Sequence, residues 1–576
     1  VENSLVDCRK FVEICIMTST KKNISLLADI FVKHGLTDIV ISPGSRNAPI
    51  ILSFANRPEI NAFSIVDERS AAFFAIGLAL NSKKTIAIAC TSGSAALNYS
   101  SAISEAYYQK IPLLVITADR PEQFIDIGDG QTIRQKNVYA NFIKKSYQLP
   151  LTVDSKDKFK AAEETINEAL HYCTFPQPGP VHINIPFNEP IYGTTEEPVS
   201  GRLIKLETNS LTISESLLKK IAASCSNSSK VMIIAGQSKT NDRLSNSIEK
   251  ISHNQNVVVL TETTSNITGF DCIDTIDNVV STIYKKESEL FKPEILISFG
   301  GQVVSKMIKK FLRKNKPQFH WHISPSGEKM DTYFSLTESV NSNENEFFNS
   351  LYQYINPLDS NYSNLWHNRK NEVNRKKEEF LSRAKYSDLK VFEYVLKKLP
   401  ENCVLHLGNS TPVRYSQLFG SMQNIVYNSN RGVSGIEGHI STAAGYAYVS
   451  DKLNVIITGD LGFFYDSNGL MNKYLMPNLK IIVINNSGGG IFRFIQGPDN
   501  TPNLEEFFEA KHNWSAEYIC KAFDVDYLKS ETLEELNSIL QDFFNDNDQK
   551  TQVLEIFTPA EKNAEILRDY FKFIKK

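Results

Sequence analysis

Apolar residues fall at helical spacing over residues 25–34, and Asp38-Ile39-Val40-Ile41 follows with the continuous apolar character of a buried strand. Strand and helix patterns then alternate as far as Val181-His182-Ile183-Asn184-Ile185-Pro186. Such alternation predicts a parallel sheet covered by helices. Residues 192–200, Tyr-Gly-Thr-Thr-Glu-Glu-Pro-Val-Ser, are polar and turn-rich and read as a linker. Apolar runs over 230–236, 257–260 and 295–300 predict a second α/β unit. The chain turns polar near Pro357, and 368–380 reads as a highly charged helix. A helix over 389–399 and a strand over 404–408 open a third unit, which closes with a strand near 553–557 and a terminal helix. The expected domains are therefore 17–191, 201–356 and 380–576, with 1–16 as an N-terminal extension.

The outer units share a layout. Glu68-Arg69-Ser70-Ala71-Ala72-Phe73-Phe74-Ala75-Ile76-Gly77 precedes an apolar strand ending Thr91-Ser92-Gly93. Glu437-Gly438-His439-Ile440-Ser441-Thr442-Ala443-Ala444-Gly445 precedes one ending Thr458-Gly459-Asp460. Each continues through a helical stretch to Pro112 or Pro477 and a second strand; Gly93 to Asp119 and Gly459 to Asn485 both span 26 residues. A short period would mean a solenoid. Two distant copies mean two similar α/β domains around a third, and Gly-Asp with Asn-Asn in only one copy means their chemistry has diverged.

Length and composition narrow the class. The 576 residues suffice for several cores, and 41% hydrophobic with 22% charged content is ordinary for a globular chain. A net charge of −3 points to no nucleic-acid partner. The densest basic run, Lys309, Lys310, Arg313, Lys314 and Lys316, reads as a solvated helix face. Eight cysteines without a C-x-x-C pair argue against a disulfide framework or zinc ribbon and fit reduced thiols in the cytoplasm. No apolar run is long enough to span a bilayer, and residues 1–16 resemble neither a secretory signal nor a transit peptide.

The strongest chemical signal is Gly459-Asp460-Leu461, followed by Asp466-Ser467-Asn468-Gly469 and, after a helix, Ile481-Ile482-Val483-Ile484-Asn485-Asn486-Ser487-Gly488. Two strands that end in oxygen-bearing residues at the carboxyl edge of a parallel sheet bring Asp460 and Asn486 together where ligands bind. An anionic oxygen, a neutral oxygen and a backbone carbonyl suit a hard cation such as Mg2+, completed by water and phosphate. The helix opening near Asp466 is expected to turn its amino end toward phosphate. Taken singly, each motif also fits an ordinary strand-to-helix turn.

Together the two motifs resemble the fingerprint of thiamin diphosphate-dependent enzymes, with Leu461 where the family often has Gly. The resemblance implies three α/β domains of the thiamin diphosphate-binding fold, for pyrimidine, centre and diphosphate. It implies Asp460, Asn486 and the Gly488 carbonyl as ligands of Mg2+, with Mn2+ left open, and Gly459 and Leu461 beside them. Glu68 would hydrogen-bond the aminopyrimidine and drive removal of the C2 proton; by itself it also reads as a first-turn glutamate favoured by the helix dipole.

Further segments narrow the resemblance. Ile41-Ser42-Pro43-Gly44-Ser45-Arg46-Asn47-Ala48-Pro49, Asp67-Glu68-Arg69-Ser70, Thr117-Ala118-Asp119-Arg120-Pro121, Gln131-Thr132-Ile133-Arg134-Gln135, Ser429-Asn430-Arg431-Gly432 and Gly488-Gly489-Gly490-Ile491-Phe492 occur in this order. They are similar to those of the menaquinone-pathway family of 2-succinyl-5-enolpyruvyl-6-hydroxy-3-cyclohexene-1-carboxylate synthases, strongly in the outer domains and weakly in the middle one. That family decarboxylates 2-oxoglutarate and joins the remaining carbanion to isochorismate. Two dicarboxylate substrates call for guanidinium forks. The resemblance assigns carboxylates to Arg46, Arg120, Arg414 and Arg431, assisted by Ser45, Gln131 and Ser410, with Lys306 as a weaker carry-over beside Met307, where some relatives have Arg. Ile436 would bend the cofactor, and Ile491, Phe492 and Ile495 would line the apolar part of the pocket. The family pairs Glu68 of one subunit with the diphosphate domain of another, implying a homodimer or homotetramer.

Other signals carry less. His320-Trp321-His322 places two imidazoles on one strand face without a third ligand and reads as structural. There is no Walker motif, no G-x-G-x-x-G after a strand and no nucleophile elbow. The alternatives are another thiamin diphosphate-dependent decarboxylase or carboligase, such as one like acetolactate synthase, and a non-catalytic relative.

Overall fold

A computed structural model describes residues 17–206, 213–494, 497, 501–545 and 549–576. The expected extension over 1–16 lies outside the described residues, as does Ile495. A short antiparallel pair, β1 (Thr18–Ser19) and β8 (Thr194–Thr195), ties the start of the first domain to its end. Between them lie β2 (Asp38–Ile41), β3 (Asn61–Ser64), β4 (Ile86–Cys90), β5 (Leu113–Asp119), β6 (Lys145–Gln148) and β7 (Pro180–Pro186), a parallel sheet in the order β3-β2-β4-β5-β7-β6.

The middle sheet holds β9 (Val231–Ala235), β10 (Val257–Leu260), β11 (Ile295–Phe299), β12 (Phe319–Ser324) and β13 (Glu338–Asn341) in the order β10-β9-β11-β12-β13. The last comprises β14 (Val404–Leu407), β15 (Val426–Asn428), β16 (Asn454–Gly459), β17 (Leu479–Asn485), β18 (Asp526–Ser530) and β19 (Gln552–Phe557), ordered β15-β14-β16-β17-β19-β18. Numbered within their own domains, the outer sheets have one and the same strand order, 2-1-3-4-6-5. The repeat seen in the sequence is thus a repeat of topology.

The repeated helices pack against each other. Glu68–Ser82 is apolar on nearly every side and buries Ser70 through Ala79, as a helix enclosed all round must. Its partner is His439–Tyr448. One continuous core joins the outer domains, running from Val40, Phe74 and Ile88 to Ile440, Ala444 and Ile481. The charged helix expected over 368–380 runs from Tyr362 to Arg383, with Trp366 and Val373 buried.

Two expectations change. The helix after β16 begins at Asp460 itself (Asp460–Tyr465), not near Asp466. The Asp466 carboxylate instead points inward and accepts from the Ser441 amide and hydroxyl at 2.8 and 3.0 Å. Burial pushes its pKa up to about 6. The basic run lies on the helix Lys306–Lys314, which buries Ile308 and Leu312. Lys310, Arg313 and Lys314 are exposed, but Lys309 is half-buried, so the face is not uniformly solvated. His320 and His322 share the Ser298 hydroxyl at 2.8 and 3.0 Å inside the middle domain. The six described cysteines are free and buried. Among the described residues, no helix is long and apolar enough to cross a membrane.

Candidate functional site

In the last domain, β14, β16 and β17 lie side by side and end at Leu407, Gly459 and Asn485, around the switch in strand order. Their carboxyl ends form a crevice of the kind in which α/β sheets bind ligands. Asp460 opens its helix there. Its Oδ1 accepts from the Leu461 amide at 2.7 Å and its Oδ2 from the Gly488 amide at 2.8 Å. Its register mate on β17 is set by the pairing of Gly459 with Ile484, so the residues just beyond both strands are neighbours.

The two asparagines differ. Asn485 turns inward, donating to Glu555 at 2.8 Å and to the Trp514 carbonyl at 2.9 Å. Asn486 donates to Asp388 at 3.0 Å, while its Oδ1 is buried and has no hydrogen-bond partner. A buried acceptor left unpaired is costly, so a missing donor or cation is its natural complement. Asp388, whose pKa burial raises to about 6, also takes the Thr558 hydroxyl and fixes which end of the Asn486 amide faces the crevice. The donor set is thus a carboxylate, an amide oxygen and a nearby backbone carbonyl, which fits a hard divalent cation. Gly488, at φ 143°, lies where a Cβ would meet the Glu509 carbonyl. His512 was not anticipated; its Nε2 stands 3.3 Å from the Asp460 Oδ2, and its ring stacks on Trp514.

After β14 the chain passes Gly408 and Asn409 to Ser410, in a left-handed turn (φ 74°) that starts the helix Thr411–Phe419. Asn409 donates to the Asn430 and Gly435 carbonyls, both at 2.6 Å, and accepts from Arg431 at 2.8 Å. Arg431 is buried, and its Nε has no acceptor. Arg414, on the neighbouring helix, reaches the Val304 carbonyl at 3.4 Å, and its Nε is also buried without a partner. Burial lowers both guanidinium pKa values. Ile436 is 37% exposed on the loop beside Gly462, an apolar side chain left free at the crevice. Ile491 and Phe492 lie on the short turn Gly490–Arg493, with Phe492 against Phe508. Lys306 stands exposed at the first turn of its helix.

The first domain gathers a second set. Asp67 caps the Glu68–Ser82 helix by accepting from the Ser70 amide, and Asn98 donates to the Glu68 Oε2 at 3.0 Å. The segment is pinned to the last domain of the same chain: Arg69 donates to the Tyr465 carbonyl at 2.8 Å, and Asn468 donates to Asp67 at 2.7 Å. Arg46 is buried and meets the Phe187 carbonyl and Glu189, both at 3.1 Å; Ser45 beside it is exposed. Arg120 pairs with Asp129 at 3.3 Å and keeps a buried Nε without a partner. Gln131 is exposed and left-handed (φ 55°), its carbonyl accepting from Ser92. Among the described residues, no hydrogen bond or ion pair joins Glu68 to Asp460, Asn486 or Gly488.

Sequence reasoning also missed two buried acids. Glu105 accepts from the Gly432 and Val433 amides at 2.6 and 2.8 Å, holding the loop that carries Arg431, and burial raises its pKa to about 7. Its place between Ala102 and Ala106 on a buried helix face was the available signal. Glu262 accepts from the Val304 and Ser305 amides at 2.6 and 2.7 Å, and burial likewise raises it to about 7. No local pattern marks it.

Residues 22–139 match the family described as the N-terminal TPP binding domain of thiamine pyrophosphate enzymes, 209–407 the corresponding middle domain and 410–556 the C-terminal TPP binding domain. The chain is 44% identical over 563 residues to 2-succinyl-5-enolpyruvyl-6-hydroxy-3-cyclohexene-1-carboxylate synthase of Christiangramia forsetii, covering 94% of this chain and 96% of that one. Proteins of the same name from Flavobacterium johnsoniae and Porphyromonas gingivalis are 42% and 39% identical, covering 95% and 96% of this chain and 98% of each of theirs. Benzoylformate decarboxylase from Polynucleobacter necessarius shares the fold at a TM-score of 0.70 and 16% identity, over 94% of this chain and 99% of its own.

Proposed function

The chain belongs to the thiamin diphosphate-dependent enzymes and, among them, to the 2-succinyl-5-enolpyruvyl-6-hydroxy-3-cyclohexene-1-carboxylate synthases, and we propose that it decarboxylates 2-oxoglutarate and adds the remaining fragment to isochorismate. The observation that carries the site assignment is the unpaired Asn486 Oδ1 beside Asp460 at adjoining strand ends. Asp460, Asn486 and the Gly488 carbonyl would hold Mg2+, and through it a diphosphate, with Gly459 and Leu461 alongside. Thiamin diphosphate, when bound, supplies the electron sink that lets a 2-oxo acid lose CO2.

The protein's residues do the rest. Glu68 holds a proton against the aminopyrimidine ring, and Asn98 fixes the orientation of its carboxyl group. Ile436, Ile491 and Phe492 exclude water from the reacting face. The unpartnered guanidinium nitrogens of Arg120, Arg414 and Arg431 are donors in search of carboxylates. Arg46 completes that set with Ser45, Gln131 and Ser410.

Glu68 would act on cofactor held by a second copy of the chain. In support, Val66 and Leu97, which adjoin Glu68 and Asn98, are 64% and 48% exposed, and Ile127 is 68% exposed; such residues call for cover. A homodimer, alone or paired into a tetramer, provides it. The buried free thiols suit a cytoplasmic enzyme.

The test is direct. Purified protein is incubated with thiamin diphosphate, Mg2+, 2-oxoglutarate and isochorismate, and the product is identified by mass. The expected product is the succinylated cyclohexadiene-derived acid with release of CO2. Equal CO2 release from pyruvate, with no adduct of isochorismate, would point instead to an enzyme like acetolactate synthase.

A further inference from the structure

The helix Lys306–Lys314 begins at a fixed place. Glu262 receives the Val304 and Ser305 amides, Ser305 caps the helix by accepting from the Ile308 amide, and its hydroxyl donates to Asp277. The Val304 carbonyl is the acceptor for Arg414 Nη1. The start of this middle-domain helix therefore lies within reach of Arg414.

Residues four apart on a helix stack on one face, so Lys309 lies one turn above Ser305, on the side where the Ser305 hydroxyl meets Asp277. Lys310, one position on, is exposed. Lys309 is half-buried, and among the described residues its ammonium has no hydrogen-bond or ion-pair partner. Arg414 and Arg431 each carry a buried Nε in the same condition. Burial lowers the Lys309 pKa, Glu262 opposes that, and Arg431, Arg313 and Arg414 add to it. Of the nearby acids, Glu262 is already saturated by two backbone amides, and burial keeps its carboxyl group partly protonated near neutrality. Asp277 is occupied by Ser305, and burial raises its pKa too. The cluster thus holds more positive charge than its own acids neutralise.

From this placement we infer that Lys309 is a substrate-binding residue, the third cation with Arg414 and Arg431 around one carboxylate of a dicarboxylate substrate. The inference rests on the proposed reaction for the identity of the ligands, and its binding test is made in the Glu68→Gln background, where turnover is slowed.

Calorimetric titration of the full-length Glu68→Gln protein, loaded with thiamin diphosphate and Mg2+, with 2-oxoglutarate and separately with isochorismate decides the matter, Lys309 and Lys310 variants being made in that background. K309M is expected to weaken one of the two by about tenfold or more, the scale of one charge-assisted hydrogen bond. K309R should recover most of that loss, and K310M should bind both as wild type. In turnover, the same substrate's KM should rise while kcat stays within about threefold. Unchanged binding of both substrates by K309M, or equal weakening by K310M, overturns the inference. Protein that binds both substrates, one of them in a Lys309-dependent way, but makes no adduct when Glu68 is intact would count against the proposed reaction and leave Lys309 as a ligand.

Discussion

Gly77 and Gly445 meet where the two repeated helices cross, each with its backbone against the other helix: a Cβ on Gly77 would overlap the Thr442 carbonyl, and one on Gly445 the Phe74 carbonyl. The contact is reciprocal because the two domains are copies of one topology. Around it, Phe63 and Phe74 pack against Tyr448 and Tyr474, with ring centroids 5.1 to 6.3 Å apart. This junction sets the placement of Glu68, nine residues before Gly77 on the same helix, relative to the last domain.

Replacing either glycine by alanine forces the helices apart, since the opposing atoms are backbone and cannot rotate away. G77A and G445A are each expected to cost about 1–3 kcal/mol. The cost should appear as a lower melting temperature, together with weaker thiamin diphosphate binding by calorimetry. A melting temperature equal to wild type for both would mean that the crossing has room for a methyl group against the Thr442 and Phe74 carbonyls.

Glu68→Gln keeps the size and the hydrogen bond from Asn98 but cannot deliver or take a proton. Cofactor affinity should stay within a few-fold of wild type, while the rate falls by roughly 10²–10⁴. Turnover near wild type would remove Glu68 from the proton-transfer step.

Asp460→Ala removes the only carboxylate proposed for the cation. Metal-dependent thiamin diphosphate binding should collapse, as read by calorimetry with and without Mg2+. Asn486→Leu removes the unpaired oxygen and should weaken the same binding, whereas Asn485→Ala should chiefly lower the melting temperature. Unchanged Mg2+ dependence in both D460A and N486L would place the cation elsewhere.

Glu105 supplies a pH signature. Its folded pKa is about 7, above the ordinary 4.5, because burial penalises the charge more than the two amides repay it. A carboxyl whose pKa rises on folding binds its proton more tightly in the native state. Its contribution is therefore full below about 4.5 and is lost as pH rises through about 7. Glu105→Gln cannot titrate, so the stability gap between wild type and E105Q should narrow from pH 5 to pH 8 in denaturant melts. A gap that widens over that window would contradict the assignment.

The sequence by itself determined the strands, their alternation with helices, the duplicated outer domains and the strand ends that carry Asp460 and Asn486. These are local properties: backbone geometry imposes the periods of 2 and 3.6 on apolar positions, and a strand end needs the same small oxygen-bearing residues wherever it occurs. The tertiary structure decided what depends on which atoms lose water together. It turned Asn485 inward and left the Asn486 oxygen unpaired, began a helix at Asp460, buried Asp466 under Ser441 and half-buried Lys309 on a helix whose Lys310, Arg313 and Lys314 stay exposed. It also set Glu105 beneath the Arg431 loop and His512 beside Asp460, partners remote in the chain. Desolvation and hydrogen-bond satisfaction are settled between residues that only packing brings together, and no local period encodes them.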